Sequence, residues 1–336
     1  MSDHNSDRFI SARARRTLRF EMADIASSAG SVERRAADLL VSLGRVIPLA
    51  AACVAVRDPE TERHRAVGWA GSTDAVVRYL AHADSDDEID CLGLNRPGPP
   101  VHAAELPVPF EQTLAWGEYL LPAGFVDGFA VSLYSDHGRH LGLASFFTDV
   151  TPGQMAAHSH LVDEMRPFLA RALDRLPSLA ALADLSGDIL GGVALTRAGV
   201  PVPLPGVPGH PALTAGAPVL TYAREQLAAS GGRVSFLAPV GSELVNITAL
   251  DCREPATDHL HTVVLVRPPG QMQGLRLAHL QLLGARLDGW SEHRIAAHFR
   301  QPLETLPAAD SSSSGGLTDP LLSAGREGLY IPPALW

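Results

Sequence analysis

FAVSLYSDHGRHLGLASFF, residues 129–147, decides the fold. Phe129–Tyr134 and Leu141–Phe147 are apolar runs of strand length, and Ser135, Asp136, His137, Gly138 and Arg139 between them are turn formers, so the segment reads as a β-hairpin. Directly after it Thr151 supplies an N-cap, Pro152 suits the first helical position and Gln154 completes a capping box. Met155, Leu161, Met165, Phe168 and Leu173 then recur at helical spacing, which predicts a long exit helix bent at Pro167.

Toward the N-terminus, residues 8–47 read as helical with a break at Ser27–Ser31. Arg13, Arg15, Arg16 and Arg19 crowd the first of these helices. The preferred reading of that cluster is a solvated helix face rather than a surface for nucleic acid. Leu49–Val56 reads as a buried strand, Asp58–Arg65 as the turn into a second strand ending near Trp69, and Thr73–Ala83 as a helix. The acidic stretch Asp84–Asp90 lacks the alternating ligands and fixed glycine of a calcium loop and reads as a solvated loop.

A second unit begins after Asp184. Val193–Thr196 and Val200–Leu204 flank a turn at Arg197–Gly199, and the proline-rich loop 205–211 excludes regular structure. Helix Tyr222–Ala229 and strands Val234–Ala238, Leu244–Leu250 and His261–Val266 complete an α/β set. Two further helices are expected at Leu275–Leu287 and, capped by Ser291, through Phe299.

The chain of 336 residues is 46% hydrophobic, enough for two or three ordinary cores. Its net charge of −10 opposes nonspecific attraction to phosphate backbones, so any DNA contact must be local. All 27 basic residues are arginine. A P-loop lysine, a Schiff base and lysine-based phosphate binding are therefore excluded. Arginine and alanine richness suits a GC-rich genome of actinobacterial flavour. Cys53, Cys91 and Cys252 lie far apart and outside any CxxC spacing, which suits a reducing compartment. No apolar run is long enough to span a membrane and the N-terminus lacks a signal-peptide core, so a cytoplasmic protein is expected.

The order of helix, strands, helix, hairpin and exit helix over residues 10–175, centred on Gly128–Asp149, resembles a GAF domain. The resemblance implies a small-molecule sensor and dimerisation module with a pocket on one sheet face. The second unit looks PAS-like. The string Leu277–Phe299, LAHLQLLGARLDGWSEHRIAAHF, resembles the first two helices of a LuxR-type helix-turn-helix, with Gly289, Ser291, Ile295, Ala296, Ala297, Phe299 and then Thr305 at matching positions. The ending REGLYIPPALW from Arg326 looks like the tail of actinobacterial regulators of this kind. Arg300, Pro302, Pro307 and the run Ser311–Gly316 depart from the pattern where the recognition helix is expected. From Gln271 onward five arginines face six acids, whereas groove-reading modules present a basic face.

The expected architecture is α+β: a GAF-like domain over 1–178, a small PAS-like α/β domain over 179–268, and a short all-α, degenerate helix-turn-helix-like module over 269–336. The function expected from the resemblance is a transcriptional regulator, sensing a small molecule and contacting DNA as a homodimer through Arg294, Arg300 and Thr305. The alternative is a sensor or scaffold that has lost DNA binding and acts by dimerising or through a protein partner. Trp69, Trp116, Tyr119 and Phe125 are the candidate ligand-binding residues, with core packing as the plainer account of each. The pairs His158/His160 and His259/His261 have no third ligand nearby, His137 and His140 read as polar turn residues, and neither a metal nor a cofactor is expected. No GxSxG elbow or cysteine–histidine motif is present, so no enzymatic activity is expected, though a hidden triad would not need sequence adjacency.

Overall fold

Residues 11–150, 155–185, 187–253, 259–270, 275–300 and 328–336 are described by a computed structural model. The chain clusters into two compact units, Met1–Arg175 and Leu176–Trp336.

In the first unit, α1 (Ala12–Ser27) and α2 (Val32–Gly44) both start at serine caps. Ser11 Oγ accepts from Ala14 N at 3.2 Å and Ser31 Oγ from Arg34 N at 3.3 Å, each satisfying a first-turn N–H that the helix itself leaves unpaired. The strands are β1 (Ala51–Arg57), β2 (His64–Gly71), β3 (Val101–His102), β4 (Asp127–Tyr134) and β5 (His140–Thr148). They form one antiparallel sheet in the order β2-β1-β5-β4-β3. Between β2 and β3 run α3 (Asp74–Leu80) and α4 (Ser85–Cys91), and between β3 and β4 a π-helical turn, Ala115–Leu120.

The exit helix α5 (Ala156–Leu173) joins α1 and α2 on one sheet face. There Met22, Leu39, Leu40, Leu161 and Met165 pack with Val54, Phe129, Val131, Leu133 and Phe146, each burial contributing about 1.5–3 kcal/mol. Ala52 and Val54 belong to this helix-covered core while Ala51, Cys53 and Ala55 belong to the core of the opposite face. A central strand covered on both sides needs apolar residues throughout, which is why β1 reads as a continuous run. Arg35, 7% exposed, donates from Nε and Nη2 to Ala172 O at 3.1 and 2.8 Å, a cation set against the C-terminal end of α5.

The second unit opens with α6 (Leu176–Asp184), which the sequence reading left without an assignment. Its strands are β6 (Gly191–Thr196), β7 (Pro201–Pro203), β8 (Arg233–Val240), β9 (Glu243–Asp251) and β10 (Leu260–Arg267), in the order β7-β6-β10-β9-β8. The prolines of β7 sit on an edge strand, where a missing N–H is tolerated. α7 (Pro218–Ser230) covers one face, with Tyr222 edge-on to Phe236 at 4.9 Å between ring centroids. α6 covers part of the other face through Leu179, Ala180 and Ala183 against Ala194, Val263 and Leu265.

Residues 269–336, read from sequence as a third module, carry α8 (Leu277–Leu287) and α9 (Glu292–Phe299), and α8 packs on this same sheet. Leu280 and Leu283 join Leu237 of β8 and Leu329 and Ile331 in one cluster. The final segment ties helix to strand: Leu237 N donates to Tyr330 O at 2.7 Å and Ile331 N donates to Leu280 O at 3.0 Å. Gly284 permits the approach, since a Cβ there would stand 1.8 Å from Ile331 O. The acidic stretch, read as a solvated loop, is instead the helix α4, and two of its carboxylates are spent inside the unit.

Candidate functional site

The face of the first sheet turned away from α1, α2 and α5 encloses a cavity of about 70 Å³. Val76, Tyr79 and Leu80 of α3 wall it on one side, Trp116 and Leu120 of the π-helical turn on another, and Leu143, Ser145 and Phe147 of β5 form its floor. Glu88 of α4 braces the wall, accepting from Leu114 N at 2.5 Å and Ala115 N at 3.0 Å where the π-helical turn begins. A carboxylate there meets free backbone N–H groups and the positive end of the turn. The lining is almost wholly apolar. Tyr79 donates its hydroxyl to Ser85 O at 3.2 Å, and burial pushes its phenol pKa up, so it stays protonated. Ser145 Oγ has no protein partner among the described residues and is the one unspent polar group on the floor. Space of this size takes only a few heavy atoms. A drug-sized ligand needs several hundred cubic ångströms, hence an outward shift of the α3, α4 or π-turn wall.

Of the sequence candidates, Trp116 lines the cavity, edge-on to Phe147 at 6.0 Å. Phe125 is buried against the far side of Phe147 at 5.5 Å, and Tyr119 stands half-buried between Tyr79 at 6.0 Å and His82 at 6.2 Å. The structure thus gathers Trp116, Tyr119 and Phe125 into one apolar cluster. Trp69 is 54% exposed on the edge strand β2 and lies outside the cavity lining. Cys53, on the same sheet face, has its thiol pushed up to about 12 by burial, which leaves it without thiolate character at neutral pH.

A polar cluster that sequence reasoning missed lies among β1, β2, α4 and the β4–β5 hairpin. His64, whose side chain is fully buried, holds Asp86 Oδ1 through Nδ1 at 2.8 Å, and its ring meets that of His140 at 5.9 Å. His140 Nε2 bonds Gly142 O at 2.9 Å, and Tyr134, its ring 4.9 Å from that of His140, donates its hydroxyl to Asn95 O. Burial lowers the His64 pKa despite the bond to Asp86, and burial together with the neighbouring His64 lowers His140 to about 4. Both rings are neutral at pH 7, which assigns Nδ1–H to His64 and leaves its Nε2 as an acceptor. Arg57 Nε, His64 Nε2, Asp86 Oδ2 and Asn95 Oδ1 are buried without a hydrogen-bond partner. An aspartate–histidine pair is two thirds of a nucleophile-activating triad, but no hydroxyl or thiol among the described residues bonds His64 Nε2. No sequence spacing could have signalled the cluster, because strand pairing brings residues 64, 134 and 140 together while α4 and the loop after it bring in residues 86 and 95. Among the described residues no three His, Cys, Asp or Glu side chains converge in a geometry that holds a metal ion.

In the C-terminal region the two helices expected from sequence are present, and Ser291 Oγ caps α9 by accepting from Arg294 N at 3.3 Å. Arg294 lays its guanidinium over the Trp290 ring, 3.7 Å from the centroid. Arg286 is forked onto Glu292 at 2.9 and 3.2 Å. Arg300 ends α9 in the left-handed conformation at φ 51°, and Thr305 lies outside the described residues. Trp290, His298 and Phe299 pack round Trp336 with ring centroids 4.6–5.6 Å away. The structure therefore places Arg294 and Arg300 on one short helix, with Arg294 already stacked.

No helix among the described residues is long and apolar enough to cross a membrane. No protein-family model matches the chain, and no curated protein matches it. Among solved structures it is similar to the GAF domain of A. aeolicus nlh2 in an inactive state, at 10% identity over 48% of this chain and 95% of that one, with a TM-score of 0.35. It is also similar to the GAF domain of an Acinetobacter phosphoenolpyruvate-protein phosphotransferase, at 15% identity over 54% and 99% of the two chains and a TM-score of 0.35. A third similar structure is the bacteriophytochrome RpBphP3 of R. palustris, at 11% identity over 77% of this chain and 64% of that one, with a TM-score of 0.34.

Proposed function

We propose that the first unit is a GAF-like small-molecule sensor and that the chain is a regulatory protein rather than an enzyme. The apolar cavity carries this reading: one sheet face is filled by three helices, while the other is held open beneath α3, α4 and the π-helical turn. Ligand sites concentrate where such an apolar hollow meets a few polar groups, and Ser145 Oγ is that group here. Its ligand is a small, largely apolar molecule with one hydrogen-bonding function, enclosed when the braced wall closes. The regulator is expected to work in the cytoplasm as a homodimer.

Screening small aromatic and aliphatic alcohols, ketones and lactones against the whole chain by ligand-observed NMR tests the proposal. Binders lost in Ala103→Leu, which fills the cavity wall without adding charge, support it. A screen without binders, or binders indifferent to that substitution, overturns it.

The output is best read as contact with a protein partner or a second copy, because Arg286 and Arg294 are already engaged and the aromatic stripe of α9 is covered. A LuxR-type DNA reader is the second reading, favoured by the serine-capped helix pair α8–α9 after Gly289. Genomic-fragment selection at low salt separates them. Enrichment of a palindromic site, weakened by Arg300→Ala, would establish DNA reading, and no enrichment would leave the partner reading standing.

A further inference from the structure

We propose that the second unit carries a peptide-docking groove, walled by α7, α8 and the edge of β8, and that residues 328–336 occupy it as a releasable resident ligand. The ligand class is an extended segment in which an aliphatic residue, a tyrosine and a second aliphatic residue precede a proline pair. The inference goes beyond the sensor reading of the first unit and draws nothing from it.

The segment Gly328–Trp336, GLYIPPALW, is held as a docked peptide is held. Leu329 and Ile331, 6% and 1% exposed, enter the cluster of Leu237, Leu280 and Leu283, while Tyr330 between them also reaches the core covered by α7. That is the alternation of an extended strand laid on a sheet edge, with separate pockets for successive side chains. Leu237 N, on the β8 edge, donates to Tyr330 O, and Ile331 N donates to Leu280 O of α8. Pro332 and Pro333 carry no N–H to satisfy and have a fixed φ, so docking costs little chain freedom there. After one 3-10 turn at Pro333–Leu335, the Trp336 ring enters a cage of Trp290, His298 and Phe299, and its Nε1 donates back to Ile331 O at 3.1 Å. The backbone fits as closely as the side chains: Gly328 enters at φ +76°, where a Cβ would stand 2.6 Å from Ser235 O.

The same contacts make the segment separable from the fold. Residues 301–327 lie between α9 and the segment in sequence, so no short connection forces it onto β8. Among the described residues two backbone bonds tie it to the rest of the unit, whereas β8 pairs with β9 over eight residues. The core between α7 and the sheet, with Tyr222, Phe236 and Ile247, takes none of its buried members from residues 328–336. Affinity therefore rests on a few anchors, Leu329, Tyr330, Ile331 and Trp336, as in peptide recognition. Release bares the aromatic stripe of α9 that Trp336 covers, so a chain supplying such a segment in trans changes what α9 presents.

A fluorescein-tagged synthetic peptide of residues 328–336 is the probe, titrated into two full chains, the wild type and Ile331→Asp. The substitution puts a charge where exposure is 1%, so it undocks the resident segment and leaves the groove's own residues unchanged. The peptide should bind this variant saturably. It should bind the wild type about tenfold or more weakly, because a tethered competitor acts at an effective concentration of roughly millimolar. The same peptide carrying the Ile331→Asp change should bind neither chain. No saturable binding to the variant overturns the proposal, and so does equal binding to both chains. If the variant fails to fold, hydrogen exchange in the wild type decides. The Leu237 N–H, bonded to Tyr330 O, should exchange about tenfold or more faster than the β8 amides bonded to β9, because the segment lifts off by itself. Exchange at a single rate would make the segment part of the cooperative fold and overturn the proposal.

Discussion

The two units build sheets with the same strand order, counted within each unit as second, first, fifth, fourth, third, yet they close their faces differently. The third and fourth strands of the second unit meet through a two-residue turn at Gly241–Ser242, and Tyr222 and Phe236 fill the helix-covered face. In the first unit the equivalent connection runs from Ala103 to Val126 and carries the π-helical turn, Trp116 and Phe125. Strand order sets the scaffold. The hollow lies between this long connection and the helices α3 and α4 of the preceding one, with the carboxylate of Glu88 bracing the two together. A packed face admits nothing, whereas a braced hollow leaves space that a ligand can enter.

Large-to-small substitutions break or sharpen that contrast most directly. Phe236→Ala in the packed face should cost about 3–5 kcal/mol in urea unfolding. Trp116→Ala should cost a comparable amount but recover part of it on adding indole, because the new space joins a cavity already present. Equal rescue of both variants would mean that the two faces are equally accessible.

Gly284→Ala tests the other closure of the second unit, where the last residues lie between α8 and β8. The added Cβ collides with Ile331 O, so either the segment detaches or the helix moves, at about 2–3 kcal/mol. Quenching of Trp336 fluorescence should rise if the segment leaves. A silent substitution would show that this contact does not hold the segment in place.

The reach of the sequence follows the same division. The hairpin Phe129–Phe147, both N-terminal helices and most strands of the second unit were legible because alternation, caps and turn residues are local signals. The wall from Ala103 to Val126 was not, since a π-helical turn among Pro107, Pro109 and Pro122 has no simple period. Trp116, Tyr119 and Phe125 could be picked as aromatics, but the exposure of Trp69 depends on β2 being an edge strand. Asp84–Asp90 looked solvated because charge density hides that Asp86 reaches His64 and Glu88 reaches the π-helical turn. Both partners come from segments more than 20 residues away.

Histidine titration should separate the units by pH. The folded His140 pKa lies near 4 against an ordinary value of 6.5, and that of His64 is also lowered. Between those two pH values the unfolded chain binds more protons than the folded one. Stability from this source is therefore complete above pH 6.5 and falls as pH drops toward 4. Allowing for the partial exposure of His140, the loss should be about 1–2 kcal/mol for the first unit. His140→Gln should flatten the difference in urea midpoints between pH 7 and pH 4.5. A slope unchanged by that substitution would place the proton uptake elsewhere, and the polar cluster would then play no part in acid sensitivity.

The smallest stability effect should belong to the most informative residue. Glu88→Gln keeps the shape of the brace but leaves one acceptor oxygen for the two N–H groups of Leu114 and Ala115, so one of them turns to solvent and the other keeps only a neutral partner, a change of about 1 kcal/mol. Because Glu88 joins α4 to the π-helical turn, that small loss falls on the wall and not on the three-helix core opposite. Hydrogen exchange at residues 114–120 should quicken while exchange in β1 and β5 stays the same. If apolar ligands then bind faster with little change in unfolding free energy, the closed wall is the barrier to entry and Glu88 its latch. If exchange quickens equally across the sheet, the face is one cooperative block, and the contrast between the hollow sheet and the filled one is a difference of shape without a difference of dynamics.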